Sequence, residues 1–498
     1  MAEKKERPRV LVINTGGTIG MVHKGGLSLA PLIPAASWEE VAESHPNVSE
    51  EALGIRLAFR AISRLVDSSE IDADIWCEIA AIIQQEYGNY DGFVVLHGTD
   101  TMCYTASALS FMLENLGKPV VITGAQIPMV EPRSDGEQNV VTAVQIAAGS
   151  GVGFPVVPEV CVFFRDHLFR GNRTRKMSAS GYGGFGSPNY LPLAVAGEHV
   201  EFRQELLLPL PAPGSDFYAT TSLDTRVLML ELFPGFSPQV LRQVFQGASE
   251  EDRIRGIVLK TYGTGNAPTN DEFLRAIEYV TGEMQALVID VTQCPEGMVE
   301  LGLYASSIGL LNRGVVSGLD MTPEAAVCKL MYLLGRGWPL DEVRRVMQLA
   351  QRGEQSMNAY EVAVSGAGAA DPVFNRGTGM LPGEIDFTRL TKATIRFHNA
   401  SISDGDGEPT EVAVFLNHPA ASRDSPSTDP RLGCTVRLTP ATNERSSGAT
   451  ERLDLFGDLS AAARRLLRAG QLLQVSVVAL DGRRVEWDSI VVSVYTRV

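Results

Sequence analysis

The sequence predicts an α/β protein: a two-lobed core on a parallel/mixed sheet, followed by a C-terminal β-sandwich-like domain. Two observations carry this. Apolar runs such as Val10–Ile13 and Phe93–Leu96 end in glycine-bearing polar turns and alternate with segments of helical spacing. That is the pattern of parallel strands joined by crossover helices. After a Gly/Ala/Pro-rich stretch, 365–383, the composition shifts to short strand-like runs with few helical ones, as expected of an antiparallel β domain. The 498 residues leave room for about three domains at ~100–200 residues each. The expected organisation is an N-terminal lobe at 1–190, an interlobe linker at 191–224 and a smaller α/β lobe at 225–360. A second linker at 361–384 and a β-rich accessory domain at 385–498 follow.

The first strand, Val10 to Ile13, runs into Asn14-Thr15-Gly16-Gly17-Thr18-Ile19-Gly20. Paired glycines permit a sharp turn and a close approach of backbone N–H groups to a ligand. The threonines then sit at the carboxyl end of a strand, where open α/β sheets bind ligands. On these residues alone, an ordinary strand-to-helix turn and a catalytic turn fit equally. Gly25-Gly26 marks a loop that would cover the site. Asp67-Ser68-Ser69 precedes a helical segment from Ile71 to Tyr87 and reads both as a cap and as an anion-binding turn.

Asp91 to Met102 repeats the first plan, with His97-Gly98-Thr99-Asp100-Thr101 at a strand end. A helix is expected from Thr101 to Leu116, stopped by Gly117, with the next strand from Pro119 to Thr123. Gly124-Ala125-Gln126 follows it, at the carboxyl end of that strand. After a strand at Val160–Phe164 comes a polar run with Arg165, Arg170, Arg173, Arg175 and Lys176. Taken alone, that run reads as a solvated basic surface. Two threonines, an aspartate and a lysine are nonetheless the parts of an activated-threonine nucleophile. Strands at 225–232, 256–260 and 287–291 build the second lobe. The β domain takes strands at 394–397, 410–416, 435–438, 472–480 and 489–495 and a helix at 459–467.

Composition narrows the function. A net charge of −16 argues against a general nucleic-acid binder, whose affinity comes from neutralising phosphates. No apolar run approaches the ~18–20 residues that span a bilayer, and Met1 to Pro8 lacks the apolar centre of a signal peptide. Cysteines 77, 103, 161, 294, 328 and 434 are scattered, which fits reduced thiols in a cytosolic protein. The histidines have no ligand spacing, so neither a metal nor a cofactor is expected.

Thr15-Gly16-Gly17-Thr18-Ile19-Gly20-Met21, His97-Gly98-Thr99-Asp100-Thr101 and Arg170-Gly171-Asn172-Arg173-Thr174-Arg175-Lys176 resemble the bacterial type I (cytoplasmic) L-asparaginases. Ser134-Asp135-Gly136, Tyr262-Gly263-Thr264-Gly265-Asn266-Ala267-Pro268 and Thr292-Gln293-Cys294 extend the resemblance, which covers residues 8–355. It implies hydrolysis of L-asparagine, in preference to glutamine, through a threonyl ester. Thr18 would be the nucleophile and Thr15 structural, with Thr99, Asp100 and Lys176 as the supporting group. A structural ion pair is the alternative for Lys176 and Asp100. Asp67, Ser68 and Ser69, with Ala125, Thr99 and Asp100, would bind the substrate. Leu27 stands where the family carries a loop tyrosine, and Tyr304 is the candidate to replace it, with core packing as the alternative. Asn266 would reach the substrate of a neighbouring subunit or simply make a turn. Arg175 and Lys260 replace a threonine and an arginine of the regulatory site that some members carry.

The implied protein is cytoplasmic and a homodimer or homotetramer, with no nucleic-acid or membrane partner. Two other functions compete. One is the asparaginase-like subunit of a tRNA-dependent amidotransferase, which normally carries its extra domain before the core. The other is a non-catalytic scaffold with a degenerate site.

Overall fold

A computed structural model describes residues 6–17, 19, 21–23, 32–34, 38–302, 305–366, 375–403, 408–418, 420–438 and 453–498. The first lobe is an eight-stranded mixed sheet. Its strands are β1 (Arg9–Gly16), β2 (Arg56–Val66), β3 (Gly92–Leu96), β4 (Val120–Thr123), β5 (Val160–Phe164), β6 (His167–Arg170), β7 (Ala194–Ala196) and β8 (Val200–Phe202). They lie in the order β8-β7-β6-β5-β4-β3-β1-β2. The five from β5 to β2 are parallel, and β6, β7 and β8 continue the sheet antiparallel.

β1 and β3 read as continuous apolar runs because both of their faces are covered. Every residue of β3, and all of β1 after Arg9, is buried. On one face pack α1 (Ala73–Glu86) and α2 (Met102–Met112), and on the other α3 (Gly136–Ala148). Asp72 starts α1 by accepting the Ile75 N–H, the usual service of an N-cap carboxylate. The chain leaves β1 to one side for β2 and returns to the other side for β3. This reversal opens a crevice beyond the carboxyl ends of β1 and β3, the place where open α/β sheets bind ligands.

The helix expected to reach Leu116 ends at Met112. Leu113–Glu114 instead pairs antiparallel with Tyr218–Ala219, and Asn115 turns at φ 55°. The expected interlobe linker is therefore no free connection: it contributes β7 and β8 to the first sheet and Tyr218–Ala219 to this ribbon. These strands are only two or three residues long and are hidden among glycines and prolines.

The second lobe is a four-stranded parallel sheet of β9 (Val227–Glu231), β10 (Gly256–Thr261), β11 (Leu287–Thr292) and β12 (Val316–Ser317). Its helix α4 (Pro323–Gly335), capped by the Thr322 hydroxyl with Pro323 in its first turn, packs on α2 of the first lobe. Phe111 and Tyr332 stack there with ring centroids 6.0 Å apart. One apolar core thus runs through both lobes.

The β-rich domain is present, as one nine-stranded antiparallel sheet. Its long strands are β13 (Met357–Gly366), β14 (Asn375–Met380), β15 (Leu390–Ser403), β16 (Thr410–Leu416), β17 (Leu432–Leu438), β18 (Leu453–Asp458), β19 (Leu472–Ala479) and β20 (Ser489–Arg497). They run β17-β16-β19-β14-β13-β20-β15-β18, with Arg484–Glu486 added alongside β15. The sheet curls until its ends meet: a Cβ on Gly457 of β18 would lie 2.3 Å from Cys434 Sγ of β17. The stretch 361–384 is corrected from linker to sheet, since β13 pairs with β20 over eight residues and β14 pairs with β19 over six. Alternating buried Tyr360, Val362 and Val364 give β13 its inner face. Residues 367–374 of that expected linker lie outside the described residues.

The β domain rests on the second lobe. Lys392 Nζ lies 2.7 Å from Glu300 Oε2, Arg396 donates to Asn312 Oδ1 at 3.1 Å, and the Phe456 ring packs on Gly302. Among the described residues, no helix is long and apolar enough to cross a membrane, and no group of His, Cys, Asp and Glu is arranged to hold a metal ion. The six cysteines are unbridged.

Candidate active site

Three turns meet in the crevice, and glycine is what lets them meet. Gly16 and Gly17 take φ of 108° and 71°, a region other L residues rarely adopt. A Cβ on Gly17 would lie 2.8 Å from the Gly98 nitrogen. A Cβ on Gly98 would lie 2.7 Å from the Ser68 hydroxyl. The ends of β1 and β3 thus meet backbone to backbone, and the end of β3 packs on the Ser68 side chain of the turn after β2.

The neighbouring polar groups have defined tasks. Thr15 is buried and donates its hydroxyl to the Leu96 carbonyl at 2.9 Å, bracing β1 against β3. Asp67 accepts from both the Ser69 N–H and the Ser69 hydroxyl, at 2.9 and 2.8 Å. These bonds hold its carboxyl below the usual range. Buried Ser68 ties this turn to the next: its hydroxyl accepts the Asp100 N–H at 3.3 Å, and its carbonyl accepts the Thr101 hydroxyl at 2.6 Å. Ala125 is buried at the end of β4, on the same edge of the sheet.

Thr99, Asp100 and Lys176 come together, although Lys176 is far from the other two in sequence. Lys176 Nζ donates to Thr99 Oγ1 at 2.9 Å and to Asp100 Oδ1 at 2.6 Å. The lysine is mostly enclosed, with 19% of its side chain exposed, whereas 65% of Asp100 is open to solvent. Thr99 also points its hydroxyl at Gln126 Oε1, 3.4 Å away, and Gln126 donates to the Gly181 carbonyl at 2.8 Å. One cation therefore polarises a hydroxyl while a solvated carboxylate stands beside it.

The basic run around Lys176 is not a solvated surface. Arg170 is buried against Glu159, with Nε 2.5 Å from Oε2. Arg173 is buried and reaches Asp320 at 2.9 Å, the Gly353 carbonyl at 2.9 Å and the Ser356 hydroxyl at 2.5 Å. Arg175 faces Glu324 at 3.4 Å. These contacts fasten the strand that carries Lys176 to the second lobe and to the start of the β domain.

Asn266 stands apart from this group. It closes a turn with Tyr262 in the second lobe and accepts the Ser306 hydroxyl at 2.6 Å. Thr18, Tyr304 and the loop residues Gly25, Gly26 and Leu27 lie outside the described residues.

The family described as "Asparaginase, N-terminal" matches residues 9–208, and the one described as "Glutaminase/Asparaginase C-terminal domain" matches residues 226–347. L-asparaginase 1 of Escherichia coli (strain K12) is 38% identical over 355 residues, covering 70% of this chain and 98% of that protein. The chain belongs to the asparaginase family.

The crystal structure of L-asparaginase I from Vibrio cholerae is similar at a TM-score of 0.62 and 38% identity, covering 70% of this chain and all of that one. The 60 kDa lysophospholipase of Mus musculus is also 38% identical, over 372 residues. That match takes in 71% of this chain and 64% of the mouse protein's length. The family matches end at residue 347, so the β domain is outside them.

Within this asparaginase-family site, sequence reasoning gave no part to a buried relay. The Trp76 indole N–H donates to Thr105 Oγ1 at 2.9 Å, and Thr105 is 2.8 Å from His97 Nε2. With Nε2 accepting, His97 Nδ1 donates to the Gly98 carbonyl at 2.6 Å. The imidazole thereby orients the peptide that precedes Thr99. Burial pushes its pKa down to about 4. Trp76 and Thr105 sit inside helices, so no local signature marks them.

The sign of the resulting pH effect is fixed. An unfolded histidine binds its proton near pH 6.5, whereas the folded one refuses it until about pH 4. The stability is complete above pH 6.5 and is lost as the pH falls toward 4. By linkage the loss is about 2 kcal/mol at pH 5. The His97 ring protons are expected to titrate near pH 4 by NMR, and unfolding at pH 5 should cost less for wild type than for His97→Gln when each is referenced to pH 7. A ring titrating near 6.5 would contradict the buried relay.

Proposed function

We propose that the protein is an L-asparaginase that hydrolyses L-asparagine to L-aspartate and ammonia by two displacements. The observation that carries the reading is the shared contact of Lys176 with Thr99 and Asp100 at the crevice. Thr18 attacks the side-chain amide carbon and passes its proton toward the leaving nitrogen. Ammonia departs and leaves a β-aspartyl ester. Water, oriented at Thr99, cleaves the ester and returns the proton to Thr18. A threonine hydroxyl is a weak nucleophile without such help.

The open carboxylate of Asp100 is suited to the substrate α-ammonium, and the turn at Asp67-Ser68-Ser69 to its α-carboxylate. Ala125 offers its carbonyl to the amide. Tyr304 contributes a hydroxyl in place of the missing loop tyrosine. The same reading carries a cytoplasmic location and a homodimer or homotetramer in which Asn266 approaches a neighbour's site.

Ester hydrolysis of lysophospholipids is the second reading, because a relative of that name is as similar in sequence as the bacterial asparaginase. Ammonia release from asparagine and glutamine, run beside fatty-acid release from lysophosphatidylcholine, separates the two. Asparagine should be the preferred substrate.

Thr18→Ala is expected to abolish ammonia release while the melting temperature stays near wild type. Thr15→Ala should lower stability, since it removes the bond to the Leu96 carbonyl. Near-normal turnover in Thr18→Ala, with turnover lost in a folded Thr15→Ala, would move the nucleophile to Thr15. Fatty-acid release without ammonia release would favour the second reading.

A further inference from the structure

Between the second lobe and the β domain lies a cavity of about 250 Å³. A neighbouring chamber of about 230 Å³ shares Leu311, Val315, Arg344, Glu361 and Arg396 with it, so the two form one cleft. The cleft exists because the β domain is there: Arg396 belongs to β15 and Phe456 to β18, whereas Arg344, Leu311 and Val315 belong to the second lobe.

Its charges are of two kinds. Lys392 is held by Glu300 at 2.7 Å, and Asp458 accepts the Ser460 N–H at 2.8 Å. These two are already engaged. Arg344 donates only to the Gly314 carbonyl and Arg396 only to Asn312 Oδ1, both neutral acceptors. Among the described residues, neither guanidinium has a carboxylate partner. Two arginines, one from the second lobe and one from the β domain, thus line the same cleft without a carboxylate partner. A guanidinium fork matches a carboxylate in geometry and charge. Glu361 lines the same chambers and opposes a second negative charge on any occupant. Leu311, Val315 and Phe456 supply an apolar wall.

We infer that this interdomain cleft binds a small monocarboxylate with a short apolar chain. The carboxylate lies between Arg344 and Arg396, and the chain lies against Leu311, Val315 and Phe456. Because the walls come from two domains, occupancy also ties the β domain to the second lobe and raises the melting temperature.

Isothermal titration of the full-length protein with butyrate tests this, with butylamine and inorganic phosphate as probes of charge and class. Butyrate should bind saturably with a dissociation constant on the order of 1 mM, and binding should persist in Lys176→Met, away from the crevice. Arg396→Gln should weaken it about tenfold or more, the scale of a lost charge-assisted bond. Glu361→Gln should tighten it about threefold, and this exposed residue has little to do with folding. No saturable binding, an affinity unchanged by Arg396→Gln, or weaker binding in Glu361→Gln would overturn the assignment. Phosphate or butylamine binding in place of butyrate would overturn the ligand class.

Discussion

Replacing Lys176 by methionine is expected to lower ammonia release by a factor on the order of 10³, within the range typical of a positioned proton-transfer or charge-stabilising group. Methionine keeps the length of the side chain and removes the ammonium. Thr99 then loses the donor 2.9 Å from its hydroxyl, and Asp100 loses its cation at 2.6 Å. The fold has little reason to suffer. Asp100 is largely solvated, and exposed ion pairs contribute only ~0–1 kcal/mol. The backbone at Lys176 is held independently, by pairing of Arg175–Lys176 with Phe185–Gly186 and by the bonds of Arg173. Turnover and melting temperature should therefore separate. Steady-state kinetics beside a thermal melt decides the matter: unchanged turnover with a lower melting temperature would make Lys176–Asp100 a structural ion pair.

What could be read from the sequence was whatever local chemistry dictates. Paired glycines after a β-branched run signal a turn that no Cβ could enter, and Gly17 indeed abuts the Gly98 backbone. The apolar runs at β1, β3, β4 and β5 mark strands covered on both faces. Partnerships set by tertiary distance were not legible. Nothing next to Arg170 or Arg173 announces Glu159 or Asp320, so a basic run looked like surface. His97 needs Thr105 and Trp76, both on other elements. The ends of elements failed for the same reason: Leu113–Glu114 leave a helix pattern because a strand 104 residues away is waiting at Tyr218. The strands β7, β8 and β14 were hidden by glycine and proline, whose composition resembles a linker even where the backbone pairs.

The largest expected loss of stability lies away from the crevice, at Lys329. Lys329 and Glu354 are both fully buried, with Nζ 2.6 Å from Oε1. The ammonium also donates to the carbonyls of Met347 and Leu349 at 3.0 and 2.7 Å and to Gln355 Oε1 at 3.2 Å. Burial works against a charge on Glu354, but the Lys329 ammonium and the N–H groups of Arg352 and Gln351 outweigh it and hold the carboxyl below its usual range. The turn so built presents the Arg352 and Gly353 carbonyls to Asn172 and Arg173, the residues that lead into Lys176. Lys329→Met would strand the carboxylate, at a cost of about 3–5 kcal/mol, which lowers the melting temperature by on the order of 10 °C. Without its cation Glu354 has a folded pKa raised above its unfolded value, so the deficit is greatest at high pH and narrows as the pH falls toward the ordinary carboxyl range. Lys329→Met combined with Glu354→Gln removes both charges and should recover most of the loss, because replacing a buried pair is far milder than breaking it. Thermal melts of the two variants across pH 5 to 8 provide the measurement. A single variant that melts with wild type, or a double variant no better than the single one, would show that the pair does not hold this junction together.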